Sequence, residues 1–99
     1  MAKIRLLVEL NVKLKDIGAF QKMFHDEFIV RSRREEGCEQ YELWHNPNKP
    51  HKMTIVEVWS SQAHLDAHLA QDWFGVWAPK MEAAQATSLV VRQLANFED

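Results

Sequence analysis

The sequence predicts an α+β domain whose elements run strand, helix, strand, strand, helix, strand. Three observations carry that expectation. Residues 3 to 13 alternate apolar and polar with period two, the spacing of a strand. Ile17, Phe20, Phe24 and Phe28 recur at three- and four-residue steps, the spacing of one helix face. Two strand-preferring runs between Gly37 and Trp59 flank a polar loop with two prolines, the pattern of a β-hairpin. Elements in this order form the ferredoxin-like βαββαβ arrangement, a four-stranded antiparallel sheet with both helices on one face.

In the first strand Ile4, Leu6, Val8, Leu10 and Val12 share a wholly apolar face. Arg5, Leu7, Glu9, Asn11 and Lys13 make a mixed one. The first helix is expected over residues 16 to 36, with Asp16 as its cap and Met23 and Val30 widening the apolar stripe. Arg31, Arg33 and Arg34 suit its C-terminal dipole, and Glu35 and Glu36 partly offset them. Gly37 is the natural left-handed stop. In the hairpin, the run Met53 to Trp59 is apolar on both sides of its pleat except at Glu57, which suits a central strand covered on both faces. Ser60 or Ser61 opens the second helix, which carries Leu65 and Leu69 on one face. Its stripe continues through Trp73, Phe74, Trp77 and Met81 past a kink at Gln71-Asp72. Pro79 predicts a break or a new helical start. Residues 86 to 97 read as the last strand.

Ninety-nine residues make a single domain, 1–99, large enough for one core. The net charge of −2, with no basic run longer than Arg33-Arg34, excludes a phosphate-neutralising face and hence nucleic acid as partner. No stretch approaches the ~18 apolar residues of a membrane span. Lys3, Arg5 and Glu9 interrupt the apolar start, so it does not read as a signal peptide. Cys38 is the only cysteine, which precludes an internal disulfide and fits a cytoplasmic setting. A sheet with helices on one side leaves an apolar second face, and a homodimer with sheets packed together would cover it. Trp44 and His45, just before the hairpin loop, are candidate dimer contacts.

Four tryptophans and five phenylalanines are many for this length, and they either fill an aromatic core or line a cavity for a flat ligand. Trp59 shares a strand face with Glu57 and Ile55. It reads either as an indole wall beside a substrate, with Glu57 as acceptor or base, or as a core residue with Glu57 paired to Arg5 or Arg92. His64 and His68 lie one helical turn apart, and two such ligands do not make a metal site. His68 is either a pocket base near neutral pH or a packing contact. Asn11, a poor strand former, suggests a hydrogen-bonding duty toward a substrate oxygen or a place near the strand end. Phe24, Tyr41, Trp73, Phe74 and Trp77 are the candidate substrate-binding aromatics. Cys38 reads as a small buried hydrophobe.

The runs Arg34-Glu35-Glu36-Gly37-Cys38, Tyr41-Glu42-Leu43, Glu57-Val58-Trp59 and His64-Leu65-x-x-His68-Leu69, behind an opening strand Leu7 to Val12, come in an order that resembles the antibiotic biosynthesis monooxygenase (ABM) family. The resemblance covers nearly the whole chain and is nearest in pattern to the quinol-monooxygenase-like members. It implies a dimeric α+β barrel with a pocket between sheet and helices in each subunit. It also implies oxygenation of a quinol or phenolic aromatic by dioxygen with neither metal nor flavin. Haem-degrading relatives carry an axial histidine in the second helical segment. The matching stretch here, Trp73 to Ala78, has none. Quinol-type relatives often have His-Phe or His-Met where this chain has Trp73-Phe74. On this reading Trp59, His68, Asn11 and Glu57 are the catalytic candidates. Alternatives are an isomerase or tautomerase of a small polar ketone, phosphorylated or not, marked by a polar cavity with an inward arginine, and a non-catalytic small-ligand-binding dimer.

Overall fold

The computed structural model describes residues 2–98. Strand β1, Ile4–Asn11, leads through a 3-10 turn, Leu14–Asp16, into helix α1. That helix covers residues 17–32 in three parts: an α-helical start, Ile17–Met23, a π-helical middle, Phe24–Ile29, and a closing α turn, Val30–Ser32. The hairpin follows as β2, Cys38–Asn46, and β3, Lys49–Trp59. Helices α2, Gln62–Leu69, and α3, Asp72–Ala83, precede the edge strand β4, Val90–Leu94. The sheet order is β2-β3-β1-β4, all antiparallel, which is the ferredoxin-like topology expected from the sequence.

The apolar face of β1 meets the helices. Val8, Leu10 and Val12 are buried there with Met53, Ile55 and Trp59 of β3, against Phe20, Phe24 and Phe28 of α1. The three phenylalanine rings stack in a row, with centroids 5.7 and 4.8 Å apart. A four-residue step in a regular α-helix drifts by ~40° around the axis. The wider π turn offsets that drift and keeps Phe28 in line with Phe24.

β3 is central, as expected, but the helices cover only one of its faces. On the other face Val56 is shielded by its cross-strand neighbours Leu7 and Glu42, and Val58 is half-buried. A bulge at Glu39 lets Cys38 pair with Trp59 and Gln40 with Val58, which brings Tyr41 opposite Glu57. In the next strand Leu6 pairs with Glu57, so Tyr41, Glu57 and Leu6 form one row across the helix-facing side.

Four local expectations are corrected. Asp16 makes no side-chain cap; its backbone N–H closes the 3-10 turn on the Lys13 carbonyl at 2.8 Å, and that turn winds into α1. Pro79 does not break α3. The carbonyl it leaves without a donor belongs to Gly75, which is exposed, so water can satisfy it. The last strand is shorter than residues 86 to 97, because the chain first crosses the end of β1, where Ala86 N–H donates to the Asn11 carbonyl at 2.7 Å. The hairpin loop is only Pro47-Asn48, held by Asn46 Oδ1 accepting from the N–H groups of Asn48 and Lys49.

Gly37 adopts φ 82°, the left-handed conformation foreseen for the helix stop. A Cβ there would also lie 2.2 Å from His64 Cγ. The close approach lets α2 settle on the α1–β2 connection, which places His68 beside that same loop.

Candidate active site

A cavity of about 230 Å³ lies between the sheet and the helices. Its walls are mostly apolar: Leu6 and Ile55 from the sheet, Phe28 from α1, Leu65 from α2, Phe74 and Met81 from α3. Leu69, Glu82, Leu89 and Val91 also border it, and Leu69 and Val91 are exposed, so these residues mark its mouth. Three buried polar side chains face the interior: Tyr41, Glu57 and His68. A larger surface cleft of about 630 Å³, lined by Glu82 and residues 85–89, adjoins the mouth at Glu82 and Leu89 and holds no aromatic ring.

His68 sits in the last turn of α2 and is 2% exposed. Aromatic rings surround it: its ring centroid lies 4.5 Å from that of Trp59, 5.1 Å from Phe74, 5.6 Å from Tyr41 and 5.7 Å from Trp73. Nδ1 lies 2.7 Å from Glu35 Oε1, and the other oxygen of Glu35 accepts from Trp73 Nε1 at 3.1 Å. Burial holds His68 below its usual pKa, although the Glu35 carboxylate pulls the other way. A neutral ring beside a carboxylate donates from Nδ1, and that tautomer leaves the Nε2 lone pair free. Nε2 has no protein partner among the described residues.

Glu57 is 6% exposed. Its Oε1 accepts from Trp59 Nε1 at 2.9 Å, the two side chains sharing a face two residues apart on β3. Burial raises its pKa, and the indole hydrogen bond opposes that rise only in part. Burial likewise lifts the Tyr41 phenol well above its ordinary range, with Glu57 adding to the effect. The Cys38 thiol is half-buried rather than fully buried. Burial and the fields of Glu35 and Glu57 push it up to about 11, so it stays an unreactive thiol.

The sequence candidates separate into three groups. Tyr41, Glu57, His68 and Phe74 line the cavity. Trp59, Trp73 and Phe24 lie behind it. Trp59 is fully buried under His68, the core position that stood as the alternative to an indole wall, and its indole holds Glu57. Trp73 holds Glu35 while Arg31 lies over its ring at 5.7 Å, and Phe24 backs Tyr41. Asn11 and Trp77 stand outside. Asn11 lies near the far end of β1, its Nδ2 donating to Thr87 Oγ1 at 3.3 Å, so it meets no group in the cavity. Trp77 is half-buried and stacks under Lys80 Nζ at 4.2 Å. Arg92 pairs with Glu9 on the opposite sheet face, and not with Glu57.

Glu35 is the site residue that sequence reasoning passed over. In the sequence it reads only as a charge opposing a helix dipole. An acid at a helix C-terminus is electrostatically misplaced unless it serves a partner, and that misplacement was the available signal.

The family model of the antibiotic biosynthesis monooxygenases matches residues 4–86. The chain belongs to the antibiotic biosynthesis monooxygenase family. Solved structures share the fold closely. A conserved protein from Methanosarcina mazei Go1 superimposes with a TM-score of 0.90 at 23% identity, covering 97% of this chain and 94% of that one. A structure described as an antibiotic biosynthesis monooxygenase gives 0.86 at 22% identity, covering 94% and 97%. A Pseudomonas aeruginosa protein gives 0.85 at 22% identity, covering 98% and 96%. No curated protein matches the chain. ABM membership accounts for the fold and leaves the substrate to be argued from the site.

Proposed function

We propose that this ABM protein is a cofactor-independent monooxygenase of a small quinol or phenolic aromatic. The observation that carries the reading is a neutral, oriented histidine facing an apolar, aromatic-lined chamber. A phenolic hydroxyl donates to His68 Nε2, and the ring rests among Phe28, Phe74 and Tyr41. As the proton moves to Nε2, the Glu35 carboxylate stabilises the imidazolium that forms. The electron-rich phenolate passes an electron to dioxygen directly. For a hydroquinone the overall change is balanced: hydroquinone plus dioxygen gives hydroxyquinone plus water, with the substrate supplying all four electrons. The protein's part is to orient the ring, favour the anion and keep water from the reduced oxygen species.

The chamber is smaller than the ~300–1,000 Å³ of pockets for drug-sized ligands, which suits one ring or two fused rings. No arginine or lysine stands on its wall among the described residues. That disfavours the phosphorylated-ketone isomerase, which needs a cation for the phosphate. An open chamber also speaks against a purely structural module.

We assign the active form to a homodimer, supported by the apolar residues that β4 leaves exposed, Val90, Val91 and Leu94. The test of function is oxygen uptake on a panel of one- and two-ring quinols and phenols. Turnover above the spontaneous rate, lost in His68→Gln, supports the reading; no turnover on any member of the panel contradicts it.

A further inference from the structure

Glu57 is a buried acid that the oxidation just described does not use. It stands at the middle of the sheet, between Leu6 of β1 and Tyr41 of β2. Trp59 Nε1–H occupies its Oε1 at 2.9 Å. Its Oε2 has no protein partner among the described residues, and the side chain lines the cavity. None of the side chains that line the cavity around it is a cation; the nearest on its strand neighbours, Arg5, pairs in register with Val58 on the opposite face of the sheet. From α1 comes Phe28, from α2 Leu65 and His68, from α3 Phe74 and Met81, from β2 the Tyr41 phenol. The charges nearby are of its own sign: Glu82 at the mouth, and Glu35 behind His68. A bare carboxylate here would be desolvated and unpaired, a costly state. The protonated form removes that cost, and burial raises its pKa in the corresponding direction. With Oε1 fixed as the acceptor of the indole N–H, the proton belongs on Oε2, toward the cavity.

We propose that Glu57 donates a hydrogen bond from Oε2 to a second oxygen of the substrate, making it the specificity-determining partner of His68 across the chamber. The pair asks for two things at once: a hydroxyl that donates to His68 Nε2, and an acceptor oxygen elsewhere on the ring for Glu57. The substrate class is therefore an uncharged aromatic with two oxygen functions, a hydroquinone or a phenol bearing a carbonyl. A monophenol leaves the Glu57 donor unpaired, and an anionic ring meets carboxyl groups with no cation beside them. This inference rests on the reading of the chamber as a phenol site, but not on its reaction with dioxygen.

The test is binding of two stable probes, 4-hydroxyacetophenone and 4-ethylphenol, by calorimetry at pH 7. They differ in the acceptor oxygen. Wild type is expected to prefer 4-hydroxyacetophenone by roughly five- to tenfold, the effect of one buried hydrogen bond. Glu57→Gln keeps the preference, because its amide N–H₂ can donate where the acid O–H did, while its carbonyl still accepts from Trp59. Glu57→Leu loses the preference and still binds 4-ethylphenol. Infrared difference spectra of wild type against Glu57→Gln are expected to show a protonated carboxyl band that persists above the ordinary carboxylate range and shifts with 4-hydroxyacetophenone; this readout does not depend on any variant binding well. A carboxylate band alone in wild type, or a Gln variant that loses the preference as fully as the Leu variant, overturns the proposal. No step here uses dioxygen. The expected binding pattern without oxygen uptake would sink the oxygenase reading alone, and quinol turnover with no probe preference would sink this inference alone.

Discussion

His68 Nδ1 and Glu35 Oε1 meet at 2.7 Å across 33 residues of chain, joining the end of α2 to the loop after α1. The contact depends on Gly37, whose missing Cβ lets His64 lie against the same loop. Glu35 also accepts from Trp73 on α3, so one carboxylate ties together three parts of the helical layer. It fixes which nitrogen of His68 keeps its proton.

Glu35→Ala is expected to leave the Nδ1–H of His68 and the Nε1–H of Trp73 without partners. The Glu35 side chain is only 12% exposed, so each orphaned donor costs roughly 1–3 kcal/mol. Thermal denaturation should show a marked fall in Tm, and Glu35→Gln, which keeps an acceptor, should show a smaller one. Equal stability of all three proteins would contradict the role.

The pH dependence of turnover follows from His68. Its folded pKa is depressed below the usual 6.5 by burial, so the ring remains a competent base down to mildly acid pH. The rate should fall on the acid side with an apparent pKa below 6.5. Stability has the same sign: the unfolded chain binds the proton more readily, so stability is full above about 6.5 and declines as pH falls below it. His68→Gln should remove this component of the decline in a denaturant titration at stepped pH.

Glu57 has the opposite sign. Its folded pKa is raised above the usual 4.5, so the stability contributed by its neutral form is full below that value and is lost as pH rises through the folded pKa. Glu57→Gln cannot ionise. Its Tm should match wild type below about 4.5, exceed it by an amount that grows as pH rises above that value, and hold a constant excess once Glu57 is ionised. A difference that stays constant with pH would show that Glu57 carries no burial penalty.

Ala78 lines the cavity and is half-buried. Ala78→Leu should fill part of the space, abolishing binding of aromatic probes at a stability cost of no more than about 1–3 kcal/mol. Calorimetry beside thermal denaturation checks both. Undiminished binding would place the ligand elsewhere.

Gly37→Ala should destabilise by about 1–3 kcal/mol from the left-handed backbone alone, with a further cost for displacing His64. The Ala variant should also lose turnover, since His64 and His68 ride on the same helix. Denaturation and a rate measurement test the two parts separately.

The sheet and helix layer were legible because their signals are local. Period two in β1, the step of four from Phe20 to Phe28, and a glycine after the helix each depend on a few neighbouring residues. The site was only half legible, because it is made by distant pairings. Tyr41 reaches Glu57 through a one-residue bulge at Glu39, and bulges leave no periodic trace. Trp59 looked like a wall because it shares a face with Glu57. That shared face is also what lets its indole bond the acid and lie buried beneath His68. Asn11 was singled out by its poor strand propensity, which in fact reflects the end of β1, where the chain from α3 crosses it. Glu35 was hidden because its partners, His68 and Trp73, come from two later helices.

The most direct test of the account is the protonation state of His68 at neutral pH, read by ¹⁵N NMR of the ring nitrogens. The account predicts a neutral imidazole protonated on Nδ1 at pH 7, with the Nε2 resonance moving when 4-hydroxyacetophenone binds. A ring that is already imidazolium at pH 7, or that carries its proton on Nε2, would contradict it.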